Sequence, residues 1–98
     1  MPIIKLQLQQ NDLESLPGWI ISSDGLSISK EFRFAQFDAA FDFMSRCYPI
    51  INELNHHPDW LNSYNLVKVS LTTHDVGGLS QKDLELAEAM NQVFKLLS

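Results

Sequence analysis

Three histidines are the side chains of this sequence best suited to move protons near neutral pH. They stand in two places, as the pair His56-His57 and as His74. Imidazole has an unperturbed pKa near 6.5, so it serves equally as acid and as base. Pro58 disfavours helical geometry at His57, which presents the pair from a turn. His74 is followed shortly by Gly77-Gly78, again where regular structure ends. Catalytic groups concentrate at such ends, although loops are also where solvated or capping histidines sit. A zinc site is the first alternative, with His56, His57 and His74 joined by Asp75 or Asp83. Adjacent histidines point apart, however, and no H-x-x-x-H pair exists, so no metal is expected. A hydrolase triad of Ser80, His74 and Asp83 fares worse. Ser80 is better explained as a helix cap, and no nucleophile elbow surrounds it.

The elements that must position these residues follow from periodicity. Leu6-Gln7-Leu8-Gln9 alternates weakly, as a short strand or a frayed start would. Asn11 or Asp12 is expected to cap a short helical turn carrying Leu13 and Leu16, stopped by Pro17-Gly18. Asp24-Gly25 reads as a two-residue hairpin turn, with Ser23 opposite Leu26 and Ile21 opposite Ile28. Trp19, Ile21, Leu26, Ile28, Phe32 and Phe34 then share one face, which Lys30 interrupts, so this edge is expected to be incompletely covered. Phe37, Ala40, Phe41, Met44, Tyr48, Ile51 and Leu54 follow helical spacing, which predicts a helix over Phe37–Asn55, kinked at Pro49, with Cys47 beside the stripe. Asp59 to Thr73 is a strand region, divided by the turn formers Asn62-Ser63-Tyr64-Asn65. Its long strand has Val67, Val69, Leu71 and Thr73 on one face. Ser80-Gln81-Lys82-Asp83 reads as a capping box, with Leu79 and Leu84 as its staple. The helix after it, Gln81–Leu97, buries Leu84, Ala87, Met90, Val93 or Phe94, and Leu97. The fold class is therefore α+β: a two-layer arrangement of an antiparallel sheet of about four strands with helices on one face.

Length and charge bound what such a domain does. A chain of 98 residues makes one domain spanning 1–98, with a modest core. Twelve acidic against seven basic side chains give a net charge of −5. That charge disfavours direct binding to nucleic acid or to an anionic membrane surface. No apolar run approaches the length of a membrane span. Met1 to Gln10 lacks the layout of a signal peptide, and one cysteine, Cys47, supports no intrachain disulfide. A cytoplasmic location is expected, with the nucleus added in a eukaryote.

The run Asn55-His56-His57-Pro58-Asp59-Trp60, then Tyr64-Asn65, Thr72-Thr73-His74-Asp75, Gly78-Leu79-Ser80 and Asp83-Leu84 resembles the pterin-4a-carbinolamine dehydratases. Pro17-Gly18-Trp19, Phe32, Phe34, Phe37, Phe41 and Phe43-Met44 extend the resemblance over about residues 12 to 97. It implies dehydration of 4a-hydroxytetrahydrobiopterin to quinonoid dihydrobiopterin, which recycles the pterin of the aromatic amino acid hydroxylases. It implies His56 and His74 as acid and base, with His57 completing the catalytic set and mainly holding the pterin. Asn55 and Thr72, Thr73 and Asp75 would complete the substrate pocket, and no metal or other cofactor is required. Asp83 matches the family's aspartate and is read as orienting a histidine, closing the loop, or capping its helix. Trp60 and Tyr64 match too and are assigned to packing. Asn52 departs from the pattern, since the family usually carries an ionisable residue there. Its amide, if it shares a helix face with His56, is still able to orient the imidazole. The family's habit implies a homodimer or homotetramer. Some members also act as dimerisation cofactors of a homeodomain transcription factor, which makes a non-enzymatic interaction module the alternative reading.

Overall fold

In the computed structural model, which describes residues 2–97, the chain reverses at Asp24-Gly25 in the expected register. Strand β1 (Ile20–Ile21) pairs with β2 (Ile28–Arg33), Ile21 opposite Ile28. The turn is wider than the two-residue form, because the Ser22 N–H donates to the Ser27 carbonyl at 2.9 Å and residues 23–26 form the loop. Asp24 organises it by accepting from the Ser22 hydroxyl at 2.6 Å and from the Leu26 N–H at 3.0 Å. Those two bonds hold its carboxyl below the ordinary value. Leu26 is consequently exposed rather than on the core face.

Strands β3 (Asp59–Ser63) and β4 (Leu66–Leu71) are split at Tyr64-Asn65, and the four strands form one antiparallel sheet in the order β1-β2-β4-β3. Tyr64 takes a positive φ of 50° in the turn and is exposed, so it does not pack as expected. Ile28, Phe32, Val67, Val69 and Leu71 are buried from this sheet, and the helices α1 (Phe37–Leu54) and α2 (Gln81–Leu97) cover that side. Phe32 centres an aromatic cluster with Trp19, Phe43 and Phe94. Burying side chains of this size stabilises by about 1.5–3 kcal/mol each.

Helix α1 runs through Pro49 and ends at Leu54, with Asn55 as its cap. Its buried stripe differs from the one read off the periodicity. Ala40, Phe43, Cys47 and Ile51 face the core, whereas Phe37, Phe41 and Tyr48 are exposed. The exposed three lie roughly 80–120° round the helix from Cys47 at 3.6 residues per turn. The apolar arc is simply wider than the face the sheet covers. Leu86 joins the core from α2. Ahead of the sheet, a short 3-10 helix spans Gln10–Leu13. Gln9 is its cap rather than Asn11 or Asp12, and the Asp12 carboxylate reaches back to the Gln9 N–H at 2.8 Å. Leu6 makes only an isolated bridge with Leu79.

Lys30 does not leave the sheet uncovered. Its ammonium bonds the Pro17 carbonyl and Asn91 Oδ1, both at 2.9 Å, and lies 4.7 Å from the Phe32 ring centre. Gly18, at φ +87°, permits this, since a Cβ there would meet Lys30 Cε at 2.6 Å.

Cys47 is buried, and desolvation pushes its thiol up to about 12. The native thiol should therefore resist alkylation at pH 8 and react fully in denaturant, as mass spectrometry would record. The raised value also fixes a sign. Above about pH 9 the unfolded chain loses a proton that the folded chain keeps, so this contribution to stability falls as pH rises toward 12. Cys47→Ala should remove that part of the slope in denaturation curves taken across the range.

Candidate active site

The antiparallel pairing of β3 with β4 determines which loops meet. Asp59, the first residue of β3, lies opposite Ser70 near the end of β4. The link before β3 and the link after β4 are thereby brought to one end of the sheet. The first link is made by Asn55, whose left-handed conformation (φ 50°, ψ 45°) ends α1. Asparagine tolerates this better than most residues. The His56 N–H still bonds the Ile51 carbonyl at 3.2 Å, after which the chain leaves the helix and Pro58 starts it toward β3. In the second link a 3-10 turn, His74–Val76, is closed by Gly77 at φ 64° and by the Thr73 N–H bonded to the Gly78 carbonyl at 2.7 Å.

Asn55, His56, His57, Thr72, Thr73, His74 and Asp75 line one pocket of about 260 Å³. His57 and His74 are exposed, whereas His56 is buried. A larger hollow of about 610 Å³ lies on the sheet, lined among others by Glu31, Asp59, Leu61 and Lys68. It contains no histidine, and Lys68 and Glu31 are ion-paired there at 3.7 Å. The groups able to exchange protons near neutral pH belong to the smaller pocket.

Behind His56 stands Asp83, fully buried in the first turn of α2. Its Oδ1 is 2.5 Å from His56 Nε2, and its Oδ2 accepts from the Thr73 hydroxyl at 2.7 Å and the Ser80 N–H at 2.9 Å. A carboxylate in so dry a place is tolerable only because both oxygens are satisfied. The bond to the Ser80 N–H is the reciprocal half of the expected capping box. The other half is shifted, with the Ser80 hydroxyl accepting from the Lys82 N–H at 3.3 Å. Orienting a histidine and capping α2 are therefore both done by one side chain. The triad of Ser80, His74 and Asp83 does not form, because Asp83 holds His56 and the Ser80 hydroxyl is bonded to Thr73 at 2.6 Å.

Asn52 does not take the place expected of it. The helix ends before His56, so the two do not share a helical face, and Nε2 of His56 is held by Asp83 rather than by the exposed Asn52. Two lining residues carried no sequence signal, Ile3 and Lys82. Ile3 reaches the site because Leu6 bonds Leu79, which lays the N-terminal segment beside the start of α2. Among the described residues, no three His, Cys, Asp or Glu side chains converge to hold a metal ion.

The family model for pterin 4 alpha carbinolamine dehydratase matches residues 4–93. The chain belongs to this family. A relative in Sinorhizobium fredii (strain NBRC 101917 / NGR234), provisionally named pterin-4-alpha-carbinolamine dehydratase, is 49% identical over 80 residues, which cover 82% of this chain and 76% of that protein. One from Prochlorococcus marinus (strain NATL2A), with the same provisional name, is 46% identical over 90 residues, 88% of this chain and 93% of its own. Among solved structures, a protein from Brucella melitensis described as transcriptional coactivator/pterin dehydratase superposes with a TM-score of 0.82. It is 34% identical and is matched over 90% of this chain and 98% of that one. The four-stranded antiparallel sheet with two helices is the α+β arrangement expected from the residues, and this solved neighbour shares the fold.

Proposed function

We propose that the chain acts as one pterin-dehydratase domain that removes water from 4a-hydroxytetrahydrobiopterin to give quinonoid dihydrobiopterin. The observation that carries this reading is the gathering of three histidines on one pocket, one of them backed by a buried carboxylate. The reaction breaks the bond between C4a and its hydroxyl, using the lone pair of N5 as the push. One imidazolium donates a proton to the departing hydroxyl, which leaves as water, while a neutral imidazole takes the N5 proton. His56 and His74 fill these two roles, and His57 holds the ring. Atoms and electrons balance without any oxidant or reductant, so proton transfer alone suffices. Family membership supports this substrate class. Recycling of the pterin for an aromatic amino acid hydroxylase, in the cytoplasm, is the physiological setting the chemistry fits. The test is the decay of chemically generated 4a-hydroxytetrahydropterin absorbance in the presence of a chelator. The protein should accelerate it well beyond the spontaneous rate, and no acceleration would reject the reading.

Association of copies belongs to the same proposal. Strands β1 and β3 lie at the sheet's edges, and Phe37, Phe41 and Tyr48 are exposed along α1. Unpaired edges and apolar helix faces are what assembly covers, so a homodimer or homotetramer is expected. Sedimentation at micromolar concentration that shows only a monomer would refute it. One observation favours a second reading, a protein-interaction role with a transcription factor. The Brucella melitensis structure bears a name that pairs coactivator with dehydratase.

A further inference from the structure

The hydrogen bonds behind His56 run in one direction, and counting their protons assigns the reactive nitrogen. The Thr73 hydroxyl has a single proton, and it is donated to Asp83 Oδ2 at 2.7 Å. The 2.6 Å bond between Thr73 and Ser80 must then use the Ser80 proton, with Thr73 Oγ1 accepting. Ser80 Oγ in turn accepts from the Lys82 N–H. Asp83 thus receives protons from Thr73 and from the Ser80 N–H on Oδ2, which leaves Oδ1 for His56 Nε2. A carboxylate engaged in this way is an acceptor throughout, so Nε2 carries a proton. The remaining nitrogen is open. Among the described residues no buried side-chain nitrogen or oxygen lacks a partner. Among those residues none bonds His56 Nδ1, so this nitrogen is not one of the fully buried atoms, and His56 lines the pocket.

We infer that Thr73 and Ser80 are positioning residues: their aligned hydroxyls hold Asp83 as an acceptor on both oxygens. That fixes the His56 proton on Nε2 and makes Nδ1 the nitrogen that meets substrate. The role in turnover rests on the dehydratase reading above, whereas the proton arrangement is a property of the free protein. Thr73 lines the pocket, but its hydroxyl proton is turned to Asp83, and through that carboxylate it acts on His56. At 3% exposure its side chain belongs to the interior. The arrangement also keeps His56 ready in one tautomer, so that proton exchange at Nδ1 requires no ring flip.

The experiment is proton–nitrogen NMR on protein labelled in its imidazole nitrogens, read together with the dehydration assay. The unmutated protein should show a slowly exchanging ring proton on Nε2 of His56, with Nδ1 unprotonated in the neutral ring. A proton on Nδ1 instead, or no protected ring proton at all, would overturn the inference, and neither result depends on activity. Thr73→Val keeps the shape of the side chain and removes its hydroxyl. It should broaden or abolish the protected His56 resonance and lower kcat about tenfold, the effect of roughly one hydrogen bond to a carboxylate. Thr73→Ser should restore both. A fall in kcat with the His56 resonance unchanged would make Thr73 merely structural and would reject the role. A protected Nε2 proton in a protein without dehydratase activity would uphold the proton arrangement while rejecting the function.

Discussion

Replacing His56 or His74 by alanine is expected to lower kcat for dehydration by about 10²–10⁴-fold, or roughly 3–5 kcal/mol of transition-state stabilisation. In the proposed reaction each imidazole exchanges a proton with a reacting atom, so its loss would be felt in the transition state rather than in binding. His57→Ala should instead raise KM at least as visibly as it lowers kcat, because its assigned task is to hold the ring. The three variants differ in structural risk. His57 and His74 are exposed at the ends of elements, so their removal leaves the core untouched. His56 is buried against Asp83, and its loss strands a carboxylate oxygen. His74→Ala is therefore the cleaner catalytic test, with Tm measured beside kcat. Equal rates in the unmutated protein and all three variants would end the catalytic assignment, and abolition of activity by a chelator would revive the metal alternative.

Asp83→Asn should be damaging in two ways at once. The carboxylate accepts from His56 Nε2, the Thr73 hydroxyl and the Ser80 N–H, and it is fully buried. An amide offers one acceptor oxygen, and its NH2 group faces a donor unless the His56 ring gives up its Nε2 proton. A buried mismatch of this kind, together with lost charge-assisted bonds, costs about 2–3 kcal/mol. In a domain of this size that lowers Tm by roughly 10–20 °C. Turnover should fall as well, because an amide NH2 facing Nε2 requires that nitrogen to accept, which moves the ring proton to Nδ1. Thermal melts and kcat together check this. A variant with unchanged Tm would show that the network contributes little to the fold. A variant destabilised but fully active below its Tm would show that the tautomer of His56 is not constrained by Asp83.

Much of the architecture is local, and so the sequence by itself determined it. Alternation over β2 and β4, the Asp24-Gly25 reversal, the two helical repeats and the Ser80–Asp83 cap each specify an element from neighbours a few residues away. The register of Ile21 against Ile28 followed from the same signal. The histidines proposed to exchange protons could be named from the sequence too, since histidines at element ends require no packing information to be noticed. The tertiary structure decided everything that depends on an angle or on a distant partner. The core face of α1 was displaced toward Phe43 and Cys47, because a wide apolar arc fixes a period without fixing which part of the arc the sheet will cover. Asn52 lost its expected role to Asp83 because a left-handed residue at Asn55 ends the helix and turns His56 away from it. Only the antiparallel pairing of β3 with β4 brings the His56-His57 link to the His74 link. Only the docking of α2 places a buried carboxylate, 27 residues along the chain, against His56 Nε2. Sequence spacing selects residue types and element periods. The direction in which each ring presents its nitrogen is determined by the long-range packing that buries its partner.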